Sequence, residues 1–269
     1  MEQTHMSEAI KRAYDAPGGA ESYARNTTLL RAEEFILSHL SVEIRDKAIL
    51  DVGVGAGRTV PYLSSLTDDY TGIDYSESML RHCMGIYSNA KLLLCDARNM
   101  DIFEDGAFDV VFCCWNMLDD ADHEDRNLML REVHRVLKQR GLFIFSAHNL
   151  DFKIRSAFIF RGFASVADPL KSLKENAVRI KRYLAGIRNH LHNKRGEVHA
   201  SEYSIVNDPS HNFSLLTYYI KKEHQVRQLE RIGFFETQMV DEKGSFISSD
   251  GDCRDGWIYY ICRKTAKEL

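Results

Sequence analysis

Leu50–Asp51–Val52–Gly53–Val54–Gly55–Ala56–Gly57–Arg58 stands where an apolar run, KAILDVG at 47–53, gives way to alternating glycines. A short β-branched run that stops at glycine reads as a buried strand, followed by a tight turn and the start of a helix. Such a turn lets the backbone approach a ligand closely, at the carboxyl end of the strand. Two details decide between nucleotides. Counting from Gly53, the sixth place is Arg58, where a GxGxxG dinucleotide fingerprint needs a small residue for close helix–strand packing. Asp51 ends the strand beside the turn, and its carboxylate repels a pyrophosphate while suiting an ammonium group. The stretch fits a nucleoside that carries a cationic amino acid.

Strand–helix alternation continues outward from this turn, as expected of a parallel sheet. DYTGID (69–74), KLLLC (91–95), FDVVFCCW (108–115) and GLFIFSA (141–147) read as strands two to five. Between the last two, Leu128, Leu130, Val133, Val136 and Leu137 share a helical face over 125–138, with Asp122 available as N-cap. Asp74 ends the second strand 21 residues after Gly53, placed to accept both hydroxyls of a ribose; capping of a helix near Glu77 by Asp74 or Ser76 is the alternative. Asp96 ends the third strand, positioned for an adenine amine with the Ala97 backbone at the ring, or else an ordinary turn aspartate. Asn116 follows the fourth strand and His148 the fifth. These positions share one edge of the sheet, where open α/β sheets bind ligands.

ILDVGVGAGR, TGIDYSESML, LLLCDARNM, FDVVFCCWNML and REVHRVLKQRGLFIFSAHN, in this order over 47–149, resemble the class I S-adenosylmethionine-dependent methyltransferases. QLERIGF with the strands FFETQMV (234–240) and WIYYICR (257–263) is similar to that family's closing helix and hairpin. The resemblance implies a Rossmann-like seven-stranded α/β sheet in the order 3-2-1-4-5-7-6 with strand 7 antiparallel. It implies Gly53, Gly55 and Gly57 at the methionine part of S-adenosyl-L-methionine, Asp74 on the ribose, and Asp96 with Ala97 at adenine. Asp51, Tyr75 and Asn116 complete the expected cofactor set, together with Tyr14 and Tyr23, which flank the Pro17–Gly18–Gly19 turn as tyrosines do in similar methyltransferases.

This reading divides the chain into N-terminal helices over the cofactor site (1–45), a cofactor-binding core (46–150), an insertion (151–211) and the closing part of the core (212–269). The insertion carries 11 Lys and Arg against 6 Asp and Glu. Leu170, Leu173, Ala177, Ile180, Leu184, Ile187 and Leu191 repeat at 3-4 spacing on an expected helix that opens with Asp168–Pro169. We expect a basic helical cap over the substrate side of the sheet and a carboxylate or phosphate on the acceptor. A homodimer seam, an anionic lipid contact and a solvated face are the competing readings.

Methyl transfer from a sulfonium is an in-line displacement that needs chiefly proximity, with a general base only where the acceptor must lose a proton. His148 is the first candidate base, and His199 and His211 in the insertion are the others, with Tyr203 and Tyr218 as further groups that could approach. His190 and His192, at i and i+2, face apart on a helix and lack ligand-spaced partners, so no metal site is expected.

A net charge of −4 and 28% charged residues argue against nucleic acid as partner. No apolar run is long enough to span a bilayer, and the first twenty residues lack a secretion-signal pattern, so a cytoplasmic protein without stable membrane insertion is expected. The six cysteines show no CxxC spacing and read as reduced packing residues. The expected activity is methyl transfer to oxygen or nitrogen of a small-molecule acceptor. The alternatives are a non-catalytic cofactor-binding protein assembled through the heptad helix and a nicotinamide-dependent dehydrogenase.

Overall fold

The computed structural model describes residues 6–16, 18–152, 169–248 and 251–265. Strands β1 (Ile49–Val52), β2 (Tyr70–Asp74), β3 (Lys91–Leu94), β4 (Phe108–Cys113) and β5 (Leu137–His148) run parallel. Three further strands are β9 (Phe234–Val240), β10 (Phe246–Ile247) and β11 (Trp257–Lys264), with β11 antiparallel to both β5 and β9. The order β10-β9-β11-β5-β4-β1-β2-β3 contains the expected 3-2-1-4-5-7-6 and adds β10 as an eighth strand at the edge.

Alternation along the strands splits the core between the two faces of the sheet. Leu50, Val52, Val111 and Cys113 pack on one face with Met129, Leu130 and Val133; Ile49, Val110 and Phe112 pack on the other with Ile36, Leu63, Leu80 and Cys83. Both faces are covered, so the strands read as continuous apolar runs. The six cysteines are free thiols, five of them buried.

The helices on these faces are α3 (Arg31–His39), α6 (Glu77–Ile86), α7 (His123–Val136) and α9 (Lys222–Ile232). Asp122 caps α7 through the Glu124 and Asp125 N–H groups, and Gly233 ends α9 at φ 110°. α3 begins only at Arg31. The Thr27 and Thr28 carbonyls instead accept from Tyr62 Oη at 3.3 Å and Arg58 Nη1 at 3.4 Å. α7 stops at Val136 because Leu137 already pairs with Phe108; the register then shifts, with Arg140 at φ 62°, before Leu142 meets Val110.

The insertion is helical only in part. α8 (Pro169–Asn193) forms as expected, but β6 (Val198–His199), β7 (Tyr203–Val206) and β8 (Thr217–Ile220) make a small antiparallel sheet. That sheet crosses the boundary placed at 211, because β8 supplies β7's hydrogen-bonding partner. α8 turns its polar side inward: Asn189 and Asn193 donate to the Asn212 and Phe213 carbonyls, and His190 bonds Asn207. The described part of the 3-4 stripe faces out, with Leu184 at 59% and Leu191 at 66% exposure. Leu170 and Leu173 have no described side chains, and residues 153–168 lie outside the described residues.

One buried charge cluster joins these layers. Arg126 on α7 is fully buried, and its Nε donates to Asp119 Oδ1 at 3.2 Å. Its other nitrogens donate to Gln228 and Gln225 on α9 at 2.5 and 2.7 Å, and the guanidinium lies 4.7 Å over the Tyr218 ring on β8. Removing one member of a buried pair strands the other charge. Arg126→Ala is therefore expected to cost roughly 3–5 kcal/mol in urea unfolding; a loss under about 1 kcal/mol, the size of an exposed pair, would show that the cluster does not hold α7 to α9.

Candidate functional site

A cavity of about 1030 Å³, including its open mouth, lies at the carboxyl ends of β1, β2, β3 and β4. Its wall gathers Tyr14, Tyr23, Asp51, Gly53, Gly55, Asp74, Tyr75, Asp96 and Ala97 from the expected set. Gly57 and Asn116 are not among the lining residues, nor are His148, His199 and His211.

The β1–α5 turn, with α5 at Val60–Leu63, is built on left-handed glycines. Gly53 has φ 74°, and a Cβ there would stand 2.4 Å from Met117 Cγ. Gly57, at φ 97°, faces away from the cavity against α6, where a Cβ would come within 2.6 Å of Tyr87 and 2.8 Å of Cys83. Gly57 thus sets the packing of the turn. Arg58 fits beside it because its guanidinium swings to Glu33, with which it forms two contacts, one of them 2.8 Å long, while stacking 4.7 Å over Trp115.

Asp74 joins two turns: its carboxylate accepts from Gly55 N–H and Ser76 N–H, both at 2.8 Å. Ser76, not Asp74, caps α6 by accepting from Met79 N–H. Asp51 accepts from the Thr59 hydroxyl at 2.5 Å and the Tyr70 hydroxyl at 2.9 Å. Burial pushes the Asp51 and Asp74 carboxyls each up to about 6, against the hydrogen bonds that favour the charged form. Asp96 differs. Burial works to raise it, but the Arg98 side chain, hydrogen-bonded at 2.6–3.0 Å, outweighs that and holds it below its ordinary value.

Backbone strain marks the exit of β4. Trp115 and Asn116 take left-handed φ values of 58° and 56°, and Trp115 joins the cavity wall. Asp120, five residues beyond Trp115, lines the same wall; Tyr14 Oη donates to it, and burial pushes its carboxyl up to about 7. Tyr14 meets Tyr23 edge-on at 5.4 Å between ring centroids, and Tyr23 meets Trp115 at 5.9 Å. Trp115, Met117, Asp120 and Arg98 were not singled out from the sequence. Their signal was position, since each follows a strand end already identified.

The three histidines are dispersed. His148 donates from Nδ1 to buried Asp119 Oδ2 at 2.9 Å, while its backbone N–H donates to the same oxygen at 2.6 Å. Its Nε2 is left to accept from Asn116 Nδ2 at 3.2 Å, and Asn116 Oδ1 is buried without a hydrogen-bond partner among the described residues. His211 reaches the cavity rim by bonding the Tyr23 hydroxyl at 3.1 Å. His199, on β6, pairs with Glu197 at 3.6 Å. Tyr203 and Tyr218 stack with His123 away from the cavity wall.

Residues 49–141 match the family model described as a methyltransferase domain. The uncharacterized methyltransferase YcgJ of Bacillus subtilis strain 168 is 29% identical over 136 residues, 48% of this chain and 52% of that protein. The chain spans about half the length of the first curated relatives it matches. Among solved structures, the 1,6-didemethyltoxoflavin-N1-methyltransferase of Burkholderia thailandensis, with its substrate and S-adenosylhomocysteine bound, superposes at TM-score 0.58. It is 13% identical, and the match covers 97% of this chain and 87% of that one. The [4+2]-cyclase SpnF superposes at 0.57 with 13% identity, covering 97% of each chain. The matched domain and the sheet order agree with the resemblance to the class I S-adenosylmethionine-dependent methyltransferases.

The residues present fit that class's cofactor. At Gly55 the left-handed turn leaves open space that a Cβ would take, Asp51 offers a carboxylate to an ammonium group, and Asp74 offers acceptors to a diol. A cation bound at Asp51 favours the ionised carboxyl, so binding should expel protons where the empty site is partly protonated. Affinity for S-adenosylhomocysteine is expected to fall as pH drops through about 6, with proton release measured by calorimetry in buffers of different ionisation enthalpy. Affinity independent of pH from about 5 to 8 would remove the carboxylate–ammonium contact.

Proposed function

We propose that this protein transfers a methyl group from S-adenosyl-L-methionine to an oxygen or nitrogen of a small-molecule acceptor. The observation that carries the reading is the convergence of Asp51, Gly53, Gly55, Asp74, Asp96 and Ala97 on one cavity, with Tyr14 and Tyr23 above it. In this reading Gly53 and Gly55 pass under the methionine part, with Gly57 holding the turn, and Asp51 holds the ammonium. Asp74 takes the ribose hydroxyls with Tyr75 beside it. Asp96 and Ala97 meet adenine, and Asn116 supports the wall from behind.

The bound cofactor supplies an electrophilic methyl on a sulfonium; the chain supplies orientation and exclusion of water. Tyr14, Tyr23 and Trp115 close the methionine end. His148 is proposed as the proton-handling group at the acceptor side. Asp119 fixes its tautomer, and the Asp119 charge helps to raise the Asp120 carboxyl in the cavity wall. His211 is proposed as a gate residue through Tyr23, and His199, exposed on β6, is a weaker candidate.

The basic residues that suggested an anionic acceptor are placed differently. Lys181, Arg182 and Arg188 on α8 are exposed, and none of them lines the cavity. We therefore leave the acceptor's negative charge out of the proposal. Dehydrogenase chemistry gains no support, since Arg58 stands at the sixth place of the glycine turn, where close packing needs a small residue, and the Asp51 carboxylate repels a pyrophosphate. A cofactor-binding protein without activity is the reading that turnover assays separate.

Calorimetric titration of the folded protein with S-adenosylhomocysteine tests the proposal first: saturable binding is expected, and none would reject it. Asp74→Ala removes charge-assisted hydrogen bonds to two hydroxyls and should weaken that binding by roughly 10–150-fold. Wild-type affinity in this variant would withdraw the ribose role. His148→Ala is expected to lower turnover by about 10²-fold or more with little change in cofactor affinity; unchanged turnover would pass the role to His211 or Asp120.

A further inference from the structure

Taking the cofactor placement above as given, the cavity has charge left over. Arg58 and Arg98 are its only lining cations among the described residues. Each is already neutralised, Arg58 by Glu33 and Arg98 by Asp96 and Asp125. Four carboxylates line the same wall, Asp51, Asp74, Asp96 and Asp120. The cofactor accounts for Asp51 and Asp74, and Arg98 accounts for Asp96. Asp120 remains, held by the neutral Tyr14 hydroxyl, in a part of the cavity where Tyr14, Tyr23 and Trp115 bring three aromatic rings together.

A buried carboxylate beside several ring faces is the surrounding that an organic ammonium group prefers, through charge pairing and cation–π attraction together. The same surrounding penalises an anion, which would enter a wall already carrying uncompensated negative charge. We propose that the region around Asp120, Tyr14, Tyr23 and Trp115 is the acceptor subsite, that it selects amines, and that the methyl group goes to the amine nitrogen.

The chemistry balances with the groups present. An acceptor that enters as R–NH3⁺ pairs with the Asp120 carboxylate and, because Asp120 lines the cavity and His148 does not, gives its proton to Asp120 in place of His148, leaving R–NH2 with a free lone pair. That lone pair forms the new N–CH3 bond as the S–CH3 bond breaks, and the bonding electrons pass to sulfur, which changes from sulfonium to neutral thioether. The product leaves as R–NH2⁺–CH3, and Asp120 returns its proton to water. Burial pushes the Asp120 carboxyl up to about 7, which suits a group that must take and release a proton near neutrality.

The test uses the full chain saturated with S-adenosylhomocysteine, so that a failure to bind this cofactor product is seen first and counts against the methyltransferase reading alone. Into that complex, 2-phenylethylamine, 2-phenylethanol and 3-phenylpropanoate are titrated separately. The amine is expected to bind about tenfold or more tightly than either the alcohol or the carboxylate. In Asp120→Asn this preference should shrink to about twofold, while affinity for S-adenosylhomocysteine stays within about threefold of wild type. The proposal is overturned if the carboxylate or alcohol binds as well as the amine, if no amine binds, or if Asp120→Asn keeps the preference. Collapse of S-adenosylhomocysteine affinity in a folded Asp120→Asn protein would overturn it as well, by showing that Asp120 belongs to the cofactor. The wild-type comparison of three probes decides the matter even if the variant does not fold.

Discussion

Asp119 has no exposure to solvent, and its carboxylate joins α7 to the end of β5. It sits in the turn after β4. One oxygen accepts from Arg126 on α7, which in turn ties down α9, and the other accepts twice from His148 at the end of β5. A buried carboxylate is tolerated only when its partners are fixed and close, so the exit of β4 has little freedom. The consequence is geometric. With Asp119 turned inward, its neighbour Asp120 faces the cavity, and the left-handed backbone at Trp115 and Asn116 brings the indole into the same wall. One aspartate is given to structure and the next to the site.

The electrostatics of the cavity follow from the same economy. Parallel strands end on one edge, and three of the four that border the cavity end at or just before an aspartate or are followed by one within the next turn. The two arginines that could have balanced them are drawn off, one to Glu33 on α3 and one to Asp125 on α7 and to Asp96. These pairs also fasten α3 and α7 to the sheet edge, so the neutralisation of Arg58 and Arg98 has a structural reason independent of any ligand. What remains are Asp51, Asp74 and Asp120, desolvated and held by neutral donors. Binding a cation there relieves an existing cost, which is a stronger reason for selectivity than a charge sitting in open water.

Much of the core was legible because its signals are local. The glycines of 53–57 need left-handed backbone, Asp74 must stand at a strand end, and the alternation of strands and helices fixes the sheet. The insertion was harder for a physical reason. Its 3-4 stripe of Leu and Ile implied a buried apolar face, yet the described part of α8 turns half-buried asparagines and a histidine inward, because the 207–213 segment presents carbonyls and an amide that only polar side chains can satisfy. Periodicity reports which residues share a face; it does not report what that face meets. β7 and β8 escaped notice for a related reason. Tyr203–Val206 and Thr217–Ile220 are four residues each, and only their pairing with one another makes them strands. Asp120 was passed over because an aspartate in an Asp119–Asp120 pair looks like surface charge until the fold separates the two roles.

The likeness in fold to both an N1-methyltransferase and a [4+2]-cyclase bears on where chemistry is decided. In the proposed reading, the turn after β1 and the carboxylate that ends β2 answer to a nucleoside, and they can stay as they are whatever is done with it. In that reading the exits of β4 and β5 are left for the second reactant, because those strands lie on the far side of β1 from Asp74 on β2. In this chain those exits carry Trp115, Asp120 and His148, a set with an aromatic surface, one desolvated carboxylate and one imidazole held in a single tautomer. A methyl cation equivalent needs only a nucleophile in line and a place for any proton, and these three side chains offer a place for an ammonium, a sink for its proton and a dry wall. On the proposed placement, the identity of the acceptor is written in the turns after β4 and β5, while the glycine turn after β1 answers only to a nucleoside donor.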